Sequence, residues 1–461
     1  MAGVAPSSEP TLQDTHELEK GPVDSEKGVD NLEAHSESIH VKPTSAALIY
    51  EKLLGYGVEI RVILFFNLIC AIPPAYIAIW GPKLALRQMI HARYSFGYFG
   101  AAVPALLNAL TFIGFTILAI ILGGQTLASV RDDKSLSSSV GIVIISLITL
   151  LLCLCGYKSI SWFGRAMSIP MCISMVIALG VGGSKLEDPP TVGPASVASV
   201  LTFASAIAGF TLSVGPLCMD FTCSMKPQTS SWRLFLAMYS GVFTSYAAFM
   251  WFGAILAAAS LVNPDWQEGY ANGNVGGLLA AVYRPAGAFG KILVALLSLS
   301  LGSGIAASVY SVSLSTQTLL PVLRHIPRIV LSACIIAAAI PLSILASPKF
   351  QETWTNFLAL IASWVSVFLA IIIVEHLVFR RSYSAYNLSQ WDSPGKLPTG
   401  ISALVAGGVG VGLAVPCINQ AWYVGPIAEH TGDIGFIVAF VASALVYVPT
   451  RVMERKFVGR G

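Results

Sequence analysis

Charge is scarce in this sequence. Only 11% of its 461 residues are Asp, Glu, Lys or Arg, whereas an ordinary soluble domain carries about 25%. Hydrophobic residues make up 55%, and mean hydropathy is +0.73. A string of soluble domains is excluded on that ground, and a polytopic membrane protein is implied. The signatures of soluble enzymes are missing too. There is no Walker A sequence, no GxSxG, no HExxH and no dinucleotide fingerprint. GGVGVG at 407–412 lies in an apolar run and reads as a close-packing helix face. No acid, base and nucleophile converge, so no enzyme and no cofactor are expected. The basic loops are short, which argues against nucleic acid as a partner. Residues 1–45 hold no apolar core, so no signal peptide is read. Six of the eight Cys sit inside apolar runs, where Cys is a small packer rather than a disulfide or metal ligand.

Long apolar runs are what the chain has in abundance. Residues 1–45 are a polar tail with nine acidic and three basic residues, too polar to bury a core. The expected division is a disordered acidic tail with a short pre-membrane segment at 1–61, a transmembrane domain at 62–450 and a basic cytoplasmic tail at 451–461. Runs able to cross about 30 Å of hydrocarbon recur at 62–79, 98–122, 139–156, 166–182, 196–218, 234–260, 287–318, 328–346, 356–379, 402–419 and 433–450. They are continuous rather than alternating, so the fold class is all-α and not a barrel.

Basic residues alternate between the loops. Six alternate segments carry 16 of them, among them Lys83, Arg87, Arg93, Arg328, Arg380 and Arg451, while the intervening segments carry six. The positive-inside rule makes the first set, and the C-terminus, cytoplasmic. Asn387 heads a glycosylation-type triplet, but this topology keeps it in the cytoplasm. Walking back from the C-terminus puts the acidic tail outside. Either the tail crosses, or one of the spans is miscounted, or a span is absent before Val62, where the charged stretch ending at Glu59 and Arg61 meets an apolar run without a lead-in; splitting 287–318 would invert the earlier loops, so parity favours the absent span.

Two spans carry chemistry. In SVASVLTFASAIAGFTLSVGPLCMDFTC (196–223), Gly209, Gly215 and Pro216 interrupt an apolar helix. Pro216 removes a backbone donor and disfavours helix at Gly215. Backbone groups freed at depth survive only when buried in protein or lining a cavity; a simple Pro kink is the plainer alternative. The 287–318 run is rich in hydroxyls, with Ser303, Ser308, Ser311 and Ser313 in its second half, suited to a cation site or to helix packing. Ionisable residues at depth are few. Glu375, His376 and Asp220 all fall near the cytoplasmic interface, where gating contacts or solvation are expected.

The stretches GPKLALRQMIHARYSFGYFGAAVPALLN (81–108), LGGQTLASV (122–130), GIVIISLITLLLCLCGYKSISWFGR (141–165), NVGGLLAAV (274–282), LPTGISALVAGG (397–408) and GDIGFIVAFVASALVYVPTRVMER (432–455) resemble the nucleobase:cation symporter-1 family, and within it the fungal purine–cytosine permease branch. The resemblance implies a LeuT-type inverted-repeat fold of twelve helices, with substrate and cation among the first, third, sixth and eighth. It implies uptake of purine- or cytosine-type bases with H⁺ or Na⁺, at the plasma membrane. About 11 helices are legible here, and the family's first is the one the junction at Arg61–Val62 leaves out. The alternative is therefore a non-transporting relative or an incomplete gene product.

The resemblance assigns the substrate site to Phe115, Thr116, Ala119, Gly209, Ser213, Val214, Gly215, Ser303 and Gly304, and a cation site to Ser308 and Ser311. Phe115 would stack on the base. Ala119, Val214 and the Ser303–Gly304 pair stand where the family has an Asn, an aromatic residue and an Asn. A second stacking face and amide hydrogen bonds are therefore expected to be lacking, and base binding to be weak. The partners implied are the bilayer and a small base; the sequence fixes neither the base nor the oligomeric state.

Overall fold

The computed structural model describes residues 56–131, 135–182, 195–420 and 422–459. The acidic tail therefore lies outside the described residues. A chain this apolar must satisfy its backbone within each segment that lipid surrounds, and it does so with helices. They are α1 (Tyr56–Cys70), α2 (Ile72–Ala78), α3 (Trp80–Leu84), α4 (Gln88–His91), α5 (Arg93–Phe96), α6 (Ala102–Ala128), α7 (Ser138–Leu154), α8 (Tyr157–Gly182), α9 (Val197–Leu212), α10 (Cys218–Thr222), α11 (Ser231–Val262), α12 (Pro264–Tyr283), α13 (Gly287–Leu319), α14 (Arg328–Ala346), α15 (Phe350–Val374), α16 (Ile401–Ala414), α17 (Ala428–Thr431) and α18 (Gly435–Val458). Among the described residues nine helical stretches are long and apolar enough to span a bilayer, and two shorter apolar ones, Ser138–Leu154 and Ile401–Cys417, lie between them in sequence. The long stretch Pro264–Leu319 contains both α12 and α13.

The first pass is helical from Tyr56 through Arg61 into Val62, so the charged residues before the apolar run belong to the same helix, with no turn at the junction. Its helical assignment is interrupted at Ala71 and Ile79, the first interruption falling where Pro73 and Pro74 remove donors, although Ala71 and Ile79 both keep right-handed helical dihedrals. The last pass also exceeds its apolar run. α18 continues to Val458, carrying Arg451 and Glu454 into buried positions where the sequence reads a tail from 451 onward.

α6 and α13 form the central helix pair, flanked by α7, α8, α12 and α14, while α9 packs on α15. Close approaches depend on glycine. A Cβ on Gly124 would stand 2.5 Å from the Ile142 backbone nitrogen, so α6 and α7 touch through main chain there. α8 packs mainly on α13 and turns Trp162, Ile169, Ile173 and Val176 outward. That is the face expected of a lipid-contacting helix. α12 is less apolar than the helices around it, and non-helical backbone at Gly273 and Asn274 breaks it in the middle.

The loops rich in Lys and Arg meet at one end of the bundle. Lys83 Nζ donates to the Pro227 and Thr229 carbonyls at 2.9 and 3.1 Å. Arg93 pairs with Asp392, and Arg380 reaches the Tyr94 carbonyl. We call this the basic end.

Candidate functional site

The 196–223 span is broken, not merely kinked. α9 stops at Leu212, a 3-10 turn covers Gly215–Leu217, and α10 resumes at Cys218. Pro216 at the second position of that turn is the local cause. Gly215 is buried against Leu369, whose Cδ2 would lie 2.6 Å from a Cβ there. Gly209 marks the crossing of α9 over α15, since a Cβ would meet the Leu358 carbonyl at 2.2 Å. Its place is a helix contact rather than a ligand contact.

Phe115 of α6 faces this break and packs with Val312 of α13 and Leu217. Its ring lies edge-on to Phe357 at 5.2 Å, to Phe210 at 5.8 Å and to Trp354 at 6.4 Å between centroids. These contacts bring aromatic side chains to Phe115 from positions other than 214. Val214 offers no ring, but Phe210, one turn earlier on the same helix, does. α15 adds Trp354 and Phe357. The sequence signal was available as FxxxV at 210–214 and WTNF at 354–357, but the crossing of α15 over α9 was not.

The remaining site residues divide. Thr116 and Ser213 donate within their own helices, to the Phe112 and Phe210 carbonyls at 2.7 and 2.6 Å. Ala119 packs beside the apolar cluster around Leu118 and Ile121, and Val214 beside that around Leu369. Ser303 donates to the Ser300 carbonyl at 2.9 Å and stands near Gly164 of α8. Gly304 is exposed, and no atom lies within 4 Å of where its Cβ would be. The two cation-site serines part company. Ser308 donates to the Gly304 carbonyl on the open face, while Ser311 is fully buried and donates to Asp220 Oδ2 at 3.4 Å. Asp220 Oδ1 also accepts from the Gln88 backbone nitrogen at 3.0 Å. It ties α10 to α13 and α4.

Amides expected to be missing are partly supplied elsewhere. Asn108, two turns before Phe115 on the same face of α6, donates to Ser315 Oγ at 2.8 Å. Its buried Oδ1 has no partner among the described residues. Trp364 Nε1 donates to Thr111 Oγ1 at 3.0 Å beside it. These groups put a polar track on α6 between the Phe115 cage and the basic end.

At the basic end three segments meet in a closed cluster. Glu375 accepts from Arg380 Nε, Arg451 Nη2, Arg451 Nε and Tyr447 Oη at 3.0–3.1 Å. Glu454 accepts from Arg451 Nη1 and from the Thr399 and Gly400 backbone nitrogens, with Thr399 and Ser402 hydroxyls beside it. The four charges cancel. Next to them Trp80, His91, His376 and Tyr386 form a chain of ring contacts, tilted except for the stacked pair His376–Tyr386. His91 is fully buried in the loop before α6. Burial, then His376 and Arg380, push its pKa down to about 3, so the ring is neutral. At the opposite end of α16, Asp433 accepts from the Asn419 and Gly435 nitrogens, and burial raises its carboxyl above the usual range. Among the described residues no group of His, Cys, Asp and Glu is arranged to hold a metal ion.

A profile of permeases for cytosine/purines, uracil, thiamine and allantoin matches residues 39–439. The chain belongs to this family of permeases. The purine-cytosine permease fcyB of Emericella nidulans is 34% identical over 413 residues, covering 88% of this chain and 81% of that one. The purine-cytosine permease FCY21 of Saccharomyces cerevisiae is 31% identical over 419 residues, covering 88% and 79%. The fold is that of Mhp1, a nucleobase-cation-symport-1 family transporter solved closed with bromovinylhydantoin bound. The TM-score is 0.66 at 17% identity, covering 90% of this chain and 92% of Mhp1. This permease is therefore a LeuT-type membrane transporter and not an enzyme.

Proposed function

We propose that the protein takes up a purine- or cytosine-type base across the plasma membrane together with H⁺ or Na⁺, with its basic end and C-terminus in the cytoplasm. The observation that carries this reading is the Phe115 cage set against the break between α9 and α10. A flat heteroaromatic ring suits such a cage, because stacking needs faces and the interrupted backbone offers hydrogen-bonding groups at depth. The purine–cytosine relatives support the same substrate class. The basic loops gathered at one end support the orientation.

The test is saturable uptake of radiolabelled cytosine and adenine in cells stripped of their own base permeases, repeated with the proton and the sodium gradient collapsed in turn. Loss of uptake with one gradient names the coupling ion.

A second reading, base binding without transport, is favoured by one observation. The Gly304 position on α13 stands open: it is exposed, and no atom lies within 4 Å of where its Cβ would be. An absent first helix would leave such a face. Binding of the labelled base to purified protein with no uptake in cells would select this reading.

A further inference from the structure

A cavity of about 260 Å³ opens at the basic end, lined by Arg87, Ile90, Arg93, Gln317, Thr318 and Trp391. Three separate segments build it: the turn leading into α4 and α5, the last turn of α13, and the loop that follows α15. Two of the six lining residues are arginines and none is an acid.

Arg93 is held rigidly. Its Nη1 donates to the Trp391 carbonyl at 3.2 Å and to Asp392 Oδ1 at 2.9 Å. The guanidinium carbon lies 4.4 Å from the Tyr98 ring centre and 5.6 Å from that of Trp391. The side chain is 3% exposed, yet Nε has no partner among the described residues. A buried guanidinium N–H without an acceptor is costly and calls for one. Arg87 makes no ion pair among the described residues. Gln317 gives one amide hydrogen to the Ile326 carbonyl at 3.3 Å and keeps the other.

Guanidinium forks match phosphate oxygens in shape and charge. The cavity is smaller than the roughly 300–1,000 Å³ that encloses a drug-sized ligand, so it holds a headgroup-sized anion rather than a whole nucleotide. Basic cavities between helices at a membrane surface take phosphorylated headgroups, and a Trp at that level is usual.

We propose that this cavity binds a phosphate group, presented by an anionic phospholipid or by a soluble phosphate ester, between the side chains of Arg87 and Arg93. The bound anion ties the end of α13 to the α4–α5 turn and to the 381–400 loop. Asp392, 40% exposed at the rim, competes with it for Arg93. The site is separate from the Phe115 cage, and its test needs no transport.

The full chain is purified and placed in phosphatidylcholine nanodiscs, and thermal unfolding is followed. One arm replaces part of the lipid with phosphatidic acid. The other adds inorganic phosphate or adenosine 5′-monophosphate, with chloride at matched ionic strength as control. A saturable rise in unfolding temperature is expected in at least one arm, and the responding arm identifies the source. The rise should need at least about ten times more ligand in R87Q and less ligand in D392N, which loses the competing carboxylate. R93Q removes a residue that also holds Trp391 and Asp392, so R87Q and D392N decide. No saturable rise in either arm, or equal rises in R87Q and wild type, overturns the proposal.

Discussion

Replacing Glu375 with Gln isolates the charge of the cluster at the basic end. The shape is nearly kept, but one acceptor oxygen becomes an NH₂ group. Four donors converge on this carboxylate, three of them from guanidinium groups. After the change, Arg380 retains the Ala385 and Tyr94 carbonyls, at 3.2 and 3.4 Å, and Arg451 retains only Glu454. Two buried negative charges against two positive become one against two. Removing one partner of a buried ion pair costs about 3–5 kcal/mol because the survivor stays buried. The lower figure alone is roughly a 150-fold change in the folded-to-unfolded ratio. The assay is equilibrium unfolding in mixed micelles of rising SDS content, read by a thiol-reactive dye, with the buried Cys70, Cys218 and Cys417 reporting exposure. E375Q should unfold at markedly lower SDS. The double variant E375Q/R451Q leaves Arg380 against Glu454 and should be less destabilised than the sum of the two single changes. A loss below about 1 kcal/mol for E375Q would refute the view that this network is held by charge balance.

Three further outcomes follow from the geometry. F115A should weaken binding of labelled base to purified protein about 10- to 100-fold, the usual worth of one stacking face, while F115W should stay near wild type. G124A should cost about 1–3 kcal/mol in the same SDS titration, because its Cβ meets the main chain of α7 rather than a movable side chain. His91 is neutral when folded down to about pH 3 but takes a proton near 6.5 when unfolded. The unfolded state therefore binds more protons between those values, and stability present above pH 6.5 falls as the pH drops through that window. H91F should flatten this acid loss in unfolding curves taken from pH 7 to pH 4.

Hydropathy made the spanning helices legible because lipid leaves the backbone no alternative. The run at 328–346 coincides with α14 to the residue, and 287–318 falls one short of α13. α12 escaped because its GNVGG stretch dilutes the apolar signal and its backbone reverses at Asn274. The broken helix was legible from Pro216, since proline acts locally. The cage was not. Phe210, Trp354 and Phe357 come together only because α15 crosses α9 at Gly209, and no periodicity within one helix encodes a crossing between two. The different partners of Ser308 and Ser311 were hidden for a related reason. Three residues separate them, but α10 docks against only one face of α13 and gives its carboxylate to Ser311 alone.

Arg451 leads two lives in sequence of time. As the chain is inserted, a cation close behind the final apolar run is one of those that hold that end of the helix back from crossing. Once the bundle closes, the same guanidinium is wholly buried and neutralised by Glu375 and Glu454. A substitution there would therefore register twice, first as disturbed insertion in newly made chains and later as weakened folding in those that insert correctly. Pulse-labelled and purified protein would report the two separately.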